Sequence, residues 1–147
     1  MLLTEFDANR QAIINPEDLN EPLEGFPKIA VSCFSRSTFQ RMLEMFPHEL
    51  IYETSMANVA IPIYKLVIAE QELALFNAPV GASACVAILE DIFALGADKL
   101  VLFGTCGVLD EDIKETSIII PSHALRDEGT SFHYVEASDE IAVNVGV

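Results

Sequence analysis

Short apolar runs alternate with amphipathic stretches along this chain, and Gly or Pro marks most of the breaks between them. Lys28 to Phe34 (KIAVSCF) is apolar without polar alternation, the pattern of a strand buried on both faces. Ser35 or Ser37 can cap a helix over roughly Thr38 to Phe46, which Pro47 stops. Leu50 to Tyr52 predicts a short strand. Val59 to Ala69 (VAIPIYKLVIA) and Leu73 to Asn77 (LALFN) predict two more, with Pro62 placing the first at an edge or bulge. Pro79-Val80-Gly81 opens a long helix over Ala82 to Leu95, with Val86, Leu89, Ile92 or Phe93, and Leu95 at helical spacing and Gly96 as its stop. Lys99 to Phe103 (KLVLF) and Ser117 to Pro121 (SIIIP) predict two further strands, the second extended by Ala124 to Arg126.

The pattern therefore reads strand, helix, strands, helix, strand, strand. That order predicts an α/β fold whose sheet is mostly parallel at its centre and covered by helices. Residues 1–27 are polar and punctuated by Pro16, Pro22 and Pro27, so they read as an extended arm before a domain spanning 28–147. No internal repeat or low-complexity segment interrupts this plan.

Composition narrows the function. The 147 residues are 51% hydrophobic, too apolar for disorder and suited to a larger body or an oligomer. The net charge of −15 repels nucleic acid and anionic membrane surfaces, which excludes both as partners. It repels phosphate too, so an anion site must be built locally from a few cations and backbone amides. Acids stand where a signal peptide would carry basic residues, and no apolar stretch could span a membrane; the expected location is the cytoplasm. Three cysteines (Cys33, Cys85, Cys106) without a CxxC suit a reducing compartment, and their spacing gives little support to a zinc site with His123 or His133.

Candidate chemistry gathers at strand ends, where open α/β sheets bind ligands. The first strand ends in Ser32, Cys33, Ser35 and Arg36. The run KLVLF empties into Gly104-Thr105-Cys106-Gly107, and the last strand into His123, Arg126, Asp127, Glu128, Gly129, Thr130 and Ser131. Pro79-Val80-Gly81-Ala82-Ser83 adds a helix N-terminus favourable to anions. Each group also has an ordinary structural explanation. Gly104 and Gly107 would equally serve a tight turn, Arg36 a solvated first helical turn, and Arg126 a loop salt bridge with Asp127 or Glu128. Cys106 has no evident base partner, and His133 lies between two aromatic residues as packed histidines do. Neither GxGxxG nor GxxxxGK[ST] occurs, so a dinucleotide site or P-loop has no support.

Taken together, APVGASACVAILEDIFALGADKLVLFGTCG and the later RDEGTSFHY resemble the nucleoside phosphorylase family of the uridine and purine nucleoside phosphorylase type, from about Lys28 to about Asn144. The resemblance implies a three-layer α/β/α body around a mixed, largely parallel sheet, working as a homo-oligomer (dimer, trimer or hexamer). It implies phosphorolysis of a nucleoside N-glycosidic bond to free base and ribose 1-phosphate, with inorganic phosphate as co-substrate and neither metal nor cofactor. It puts Arg36 on a phosphate-binding arginine, Ser32 on a phosphate-loop glycine, and Thr105 on a threonine that reaches phosphate and ribose. Gly104 joins the phosphate side, while Cys106, Gly107 and Arg126 fall on the ribose and substrate side.

Three departures from the family's pattern shape the expectation. Leu102 occupies the position of a second phosphate arginine, for which Lys65 or Arg126 would have to substitute. No histidine before Phe6 matches one that typically reaches a neighbour's sugar. The base pocket and the Met-Glu pair that grips the ribose would lie beyond Val147, so the chain reads as truncated, with little activity alone and no readable preference for purine or pyrimidine. A nucleosidase-type hydrolase and a non-catalytic binding or oligomerisation module are the alternatives.

Overall fold

The computed structural model describes residues 5–114 and 118–143. The chain divides into two compact units: residues 11–104, and the described residues on either side of that span.

In the first unit, a five-stranded sheet has the order β2-β3-β4-β1-β5. Its strands are β1 (Ile29–Cys33), β2 (His48–Met56), β3 (Val59–Ile68), β4 (Gln71–Asn77) and β5 (Lys99–Phe103). β4, β1 and β5 are parallel, whereas β2, β3 and β4 form an antiparallel meander. The sheet is thus mixed, with its parallel part built around β1. Three helices accompany it: α1 (Pro16–Leu19), α2 (Arg36–Met45) and α3 (Ala82–Leu95).

Alternation along the strands makes two cores. On one face, Phe39 of α2 packs with Cys33, Leu66 and Leu75. On the other, Cys85, Ile88, Ile92 and Leu95 of α3 pack on Ala30, Ile61, Ile63, Ala74 and Phe76. The result is the three-layer α/β/α arrangement that the family resemblance implies.

The strand β2 is longer than the expected Leu50 to Tyr52. A bulge between Leu50 and Tyr52 shifts its register, so His48 and Leu50 pair with Leu66 and Tyr64, whereas Tyr52 and Thr54 pair with Ile63 and Ile61. One extra residue moves the strand's even-numbered side chains from the α2 face to the α3 face. A simple two-residue period could reveal only a short part of that strand.

Residues 11–27 are joined firmly to this unit. Leu23 N–H donates to the Leu95 carbonyl at 3.0 Å, and Phe26 is buried in the α3 core. The Asn20 side chain donates to Asp91 of α3 at 2.8 Å, and Thr54 of β2 donates to the same carboxylate at 2.5 Å. Lys28 closes the far end of α3, donating to the Gly96 carbonyl at 2.9 Å, where a cation complements the helix dipole.

The other unit holds a two-stranded antiparallel ribbon of β6 (His123–Leu125) and β7 (Glu140–Ala142), with a 3-10 turn at Ser131–His133 between them. The strand expected over Ser117 to Pro121 is corrected here. Ser117 lies outside the described residues, and Ile118 to Pro121 have no regular structure; Ile118 and Ile120 are almost wholly exposed. An apolar run becomes a strand only when a neighbour accepts its hydrogen bonds, and the ladder forms instead between His123–Leu125 and Glu140–Ala142.

Candidate functional site

The ends of the three parallel strands coincide. Cys33 lies opposite Asn77 of β4 on one side and Phe103 of β5 on the other. All three strands therefore release their chains at one edge of the sheet, the carboxyl edge at which this kind of fold places ligands. Both α2 and α3 begin just beyond it, on opposite faces, so the positive ends of both helix dipoles lie at that edge.

At the N-terminus of α2, Ser35 is the cap: its hydroxyl accepts from Thr38 N–H at 3.2 Å. Arg36 is the first helical residue. Its side chain is exposed and makes no hydrogen bond or ion pair among the described residues. The first turn of α2 contains no acidic residue, so nothing there neutralises the guanidinium.

The exit from β5 passes close by. A Cβ built on Gly104 would lie 3.3 Å from Cδ2 of Phe34, closer than side chains ordinarily sit. Glycine thus lets the β5 exit pass the ring that precedes Ser35 and Arg36. The exit from β4 leads to Gly81, whose φ of 109° and ψ of 137° place it in a region glycine alone occupies readily, and from there α3 starts without a side-chain cap.

Ser32 has a different place from the one its alignment with a phosphate-loop glycine implies. It is fully buried, donating to the Phe76 carbonyl at 2.9 Å and accepting from Ala78 N–H at 3.0 Å. Both functions of the hydroxyl are spent on the β4 exit. Lys65, the suggested substitute for a second arginine, instead pairs with Glu72 at 3.0 Å. Glu72 is near the start of β4, towards the opposite edge of the sheet. Leu102 is on β5 and about 40% exposed.

Arg126, in the other unit, is 6% exposed and bonded within its own loop. Nε donates to Ser131 Oγ at 2.9 Å, Nη1 to the Glu136 carbonyl at 2.5 Å and to Ser138 Oγ at 2.9 Å, and Nη2 to the Val135 carbonyl at 3.1 Å. The guanidinium also stacks 4.2 Å from the centre of the Phe132 ring. It organises its own loop, and neither Asp127 nor Glu128 is its partner. Glu128 instead accepts from Thr130 N–H at 2.8 Å and from Ser131 N–H and Oγ–H, capping the 3-10 turn. These bonds, led by the Ser131 hydroxyl, hold its carboxyl below the usual glutamate range.

Thr105, Cys106 and Gly107 are exposed and lie outside any strand or helix. They follow Gly104 directly in sequence but belong to the second unit. Cys33 and Cys85 sit in the separate cores on opposite faces of the sheet. Burial pushes both thiols up from their ordinary pKa. Two cysteines so placed cannot share an ion, and no metal-binding group of three or more His, Cys, Asp or Glu occurs among the described residues.

A sequence profile for the phosphorylase superfamily matches residues 28–145. The chain belongs to the phosphorylase superfamily. No curated protein matches its sequence. Among solved structures, it is similar to uridine phosphorylase from Vibrio fischeri ES114, with a TM-score of 0.67 and 19% identity over 86% of this chain and 52% of that one. Futalosine hydrolase of Helicobacter pylori strain 26695 gives 0.60 and 19%, over 82% and 54%. A Helicobacter pylori MTAN variant with 5′-methylthioadenosine in its active site gives 0.61 and 19%, over 81% and 54%. At such identities the likeness is one of fold. The chain spans about half the length of these solved structures. No described helix is long and apolar enough to cross a membrane.

Residue type alone did not announce the contribution of Asn77. Its side chain donates to the Cys33 carbonyl at 2.6 Å and ties the ends of β4 and β1 together. The one available signal was a polar residue closing an apolar strand.

Proposed function

We propose that this phosphorylase-superfamily chain supplies the phosphate side of a site that cleaves the N-glycosidic bond of a nucleoside by phosphorolysis. The observation that carries the reading is Arg36: an exposed cation, unpaired among the described residues, at the edge where β4, β1 and β5 end together. In a molecule of net charge −15, an arginine left unneutralised at a ligand edge is suited to an anion.

In the proposed reaction, the bond from the sugar C1′ to the base nitrogen breaks and its electron pair leaves with the base, which takes a proton. A phosphate oxygen then bonds to C1′, giving ribose 1-phosphate, and the proton that hydrogen phosphate gives up balances the one the base gains. Arg36 and the free amides of α2 hold the phosphate and offset the charge rearrangement as the sugar becomes cationic. Gly104, at the end of β5, lets the backbone approach the anion. Inorganic phosphate is the only co-substrate, without a cofactor. The protein is proposed to act in the cytoplasm as a homo-oligomer.

The test is calorimetric titration of the chain with inorganic phosphate, together with an assay of base release from uridine and inosine at varied phosphate. Phosphate binding that weakens about ten- to a hundredfold in Arg36→Ala supports the reading. An Arg36→Ala variant that binds phosphate as tightly as the wild type overturns it.

A second reading, hydrolysis with water as acceptor, is favoured by Leu102, an apolar side chain where the family resemblance implies a second arginine. Two of the fold neighbours, a futalosine hydrolase and an MTAN, keep that reading open. It requires base release independent of phosphate concentration. Nucleoside binding without turnover would instead identify a binding module.

A further inference from the structure

The carboxyl ends of β1 and β4 are held by more than strand pairing. Ser32 Oγ donates to the Phe76 carbonyl and accepts from Ala78 N–H, all within the buried interior. One residue on, the Cys33 carbonyl accepts from Asn77 Nδ2 at 2.6 Å and from Ala78 N–H at 3.2 Å. The Cys33 thiol in turn donates to the Ser35 carbonyl at 3.4 Å. Ser35 caps α2 immediately before Arg36. Hydrogen bonds on either side of Cys33 therefore link the β4 exit, through Ser32 and Cys33, to the turn that presents Arg36, which is unpaired among the described residues.

We infer that Ser32 and Asn77 are positioning residues, a side-chain clamp between β4 and β1 that fixes the Arg36 turn for anion binding. The inference rests on the phosphate reading above. It gives Ser32 an indirect role, through the backbone, in place of direct contact with phosphate. Two arguments support it. A buried hydroxyl with both functions engaged is costly to disturb, so the geometry it sets is stiff. An anion site made of one guanidinium and two helical amides tolerates little displacement, because its donors must converge on one centre.

The experiment compares wild type, Ser32→Ala, Ser32→Thr, Asn77→Ala and Arg36→Ala by hydrogen exchange without ligand and by titration with inorganic phosphate. Expected in Ser32→Ala are faster exchange at the amides from Phe34 to Ser37 and about tenfold weaker phosphate binding, with both restored towards wild type in Ser32→Thr. Asn77→Ala, whose side chain is only partly buried, should show the same pattern and decides the matter should Ser32→Ala fail to fold. Arg36→Ala should weaken binding without altering exchange. Unchanged exchange around Arg36 in the clamp variants, or altered exchange with wild-type phosphate affinity, overturns the positioning role alone. Absence of phosphate binding by the wild type overturns the phosphate reading and this role with it.

Discussion

Thr54, on the edge strand β2, donates its hydroxyl to Asp91 of α3, and Asn20 reaches the other oxygen of the same carboxylate. One acidic side chain thus ties the N-terminal stretch, the sheet edge and the long helix together. Thr54 and Asn20 are both about 8% exposed, so neither would recover good hydration if the carboxylate were removed. Asp91→Ala should lower unfolding stability by on the order of 2 kcal/mol, because it strands two buried donors. Asp91→Asn, which keeps an acceptor oxygen, should cost less. Urea denaturation of the two variants checks the order.

Gly81 should tolerate no side chain without strain. Nothing stands within 4 Å of a Cβ built there, so the penalty for Gly81→Ala comes from its φ of 109° and not from crowding. A loss of about 1–3 kcal/mol is expected. Thermal unfolding measures it, with Gly107→Ala as the control because Gly107 is equally open and has no positive φ.

The cysteines should separate by reactivity. Cys106 is exposed, whereas Cys33 and Cys85 are buried with thiols pushed up by desolvation. One equivalent of a thiol reagent should react promptly in the native protein, and the other two only after denaturation. Mass spectrometry of alkylated peptides assigns each one.

Acidification should loosen the second unit's capped turn. The Glu128 carboxyl is held down by its bonds from Ser131 and Thr130, so their stabilising effect is complete above the ordinary glutamate pKa of about 4.3. It fades as pH falls through the lower folded value. Amide exchange at Thr130 and Ser131 should quicken in acid in the wild type. In Glu128→Gln it should be already faster at neutral pH and less sensitive to acid.

Much of the sheet was legible because its signals were local. Gly81 and Gly96 bracket α3, and an unbroken apolar run between polar flanks defines β5. What escaped depended on partners. The bulge at Ile51 hid the full length of β2 by breaking its alternation, and Ile118 to Pro121 had strand composition but no neighbouring ladder. The candidate site divides in the same way. Arg36 could be placed from its spacing behind a strand and a serine cap. The buried hydrogen bonds of Ser32 and the internally bonded guanidinium of Arg126 could not, since most of their partners are backbone groups whose sequence carries no mark.

The outer strand β5 has one further consequence, for handling the protein in solution. Among the described residues no strand lies beyond KLVLF, which has no proline and a single charge, and Val101, Leu102 and Phe103 are each around 40% exposed. Such a segment can template the stacking of identical segments from other molecules. Concentrated samples should therefore form fibrils that bind amyloid dyes, and a lysine in place of Val101 should suppress them.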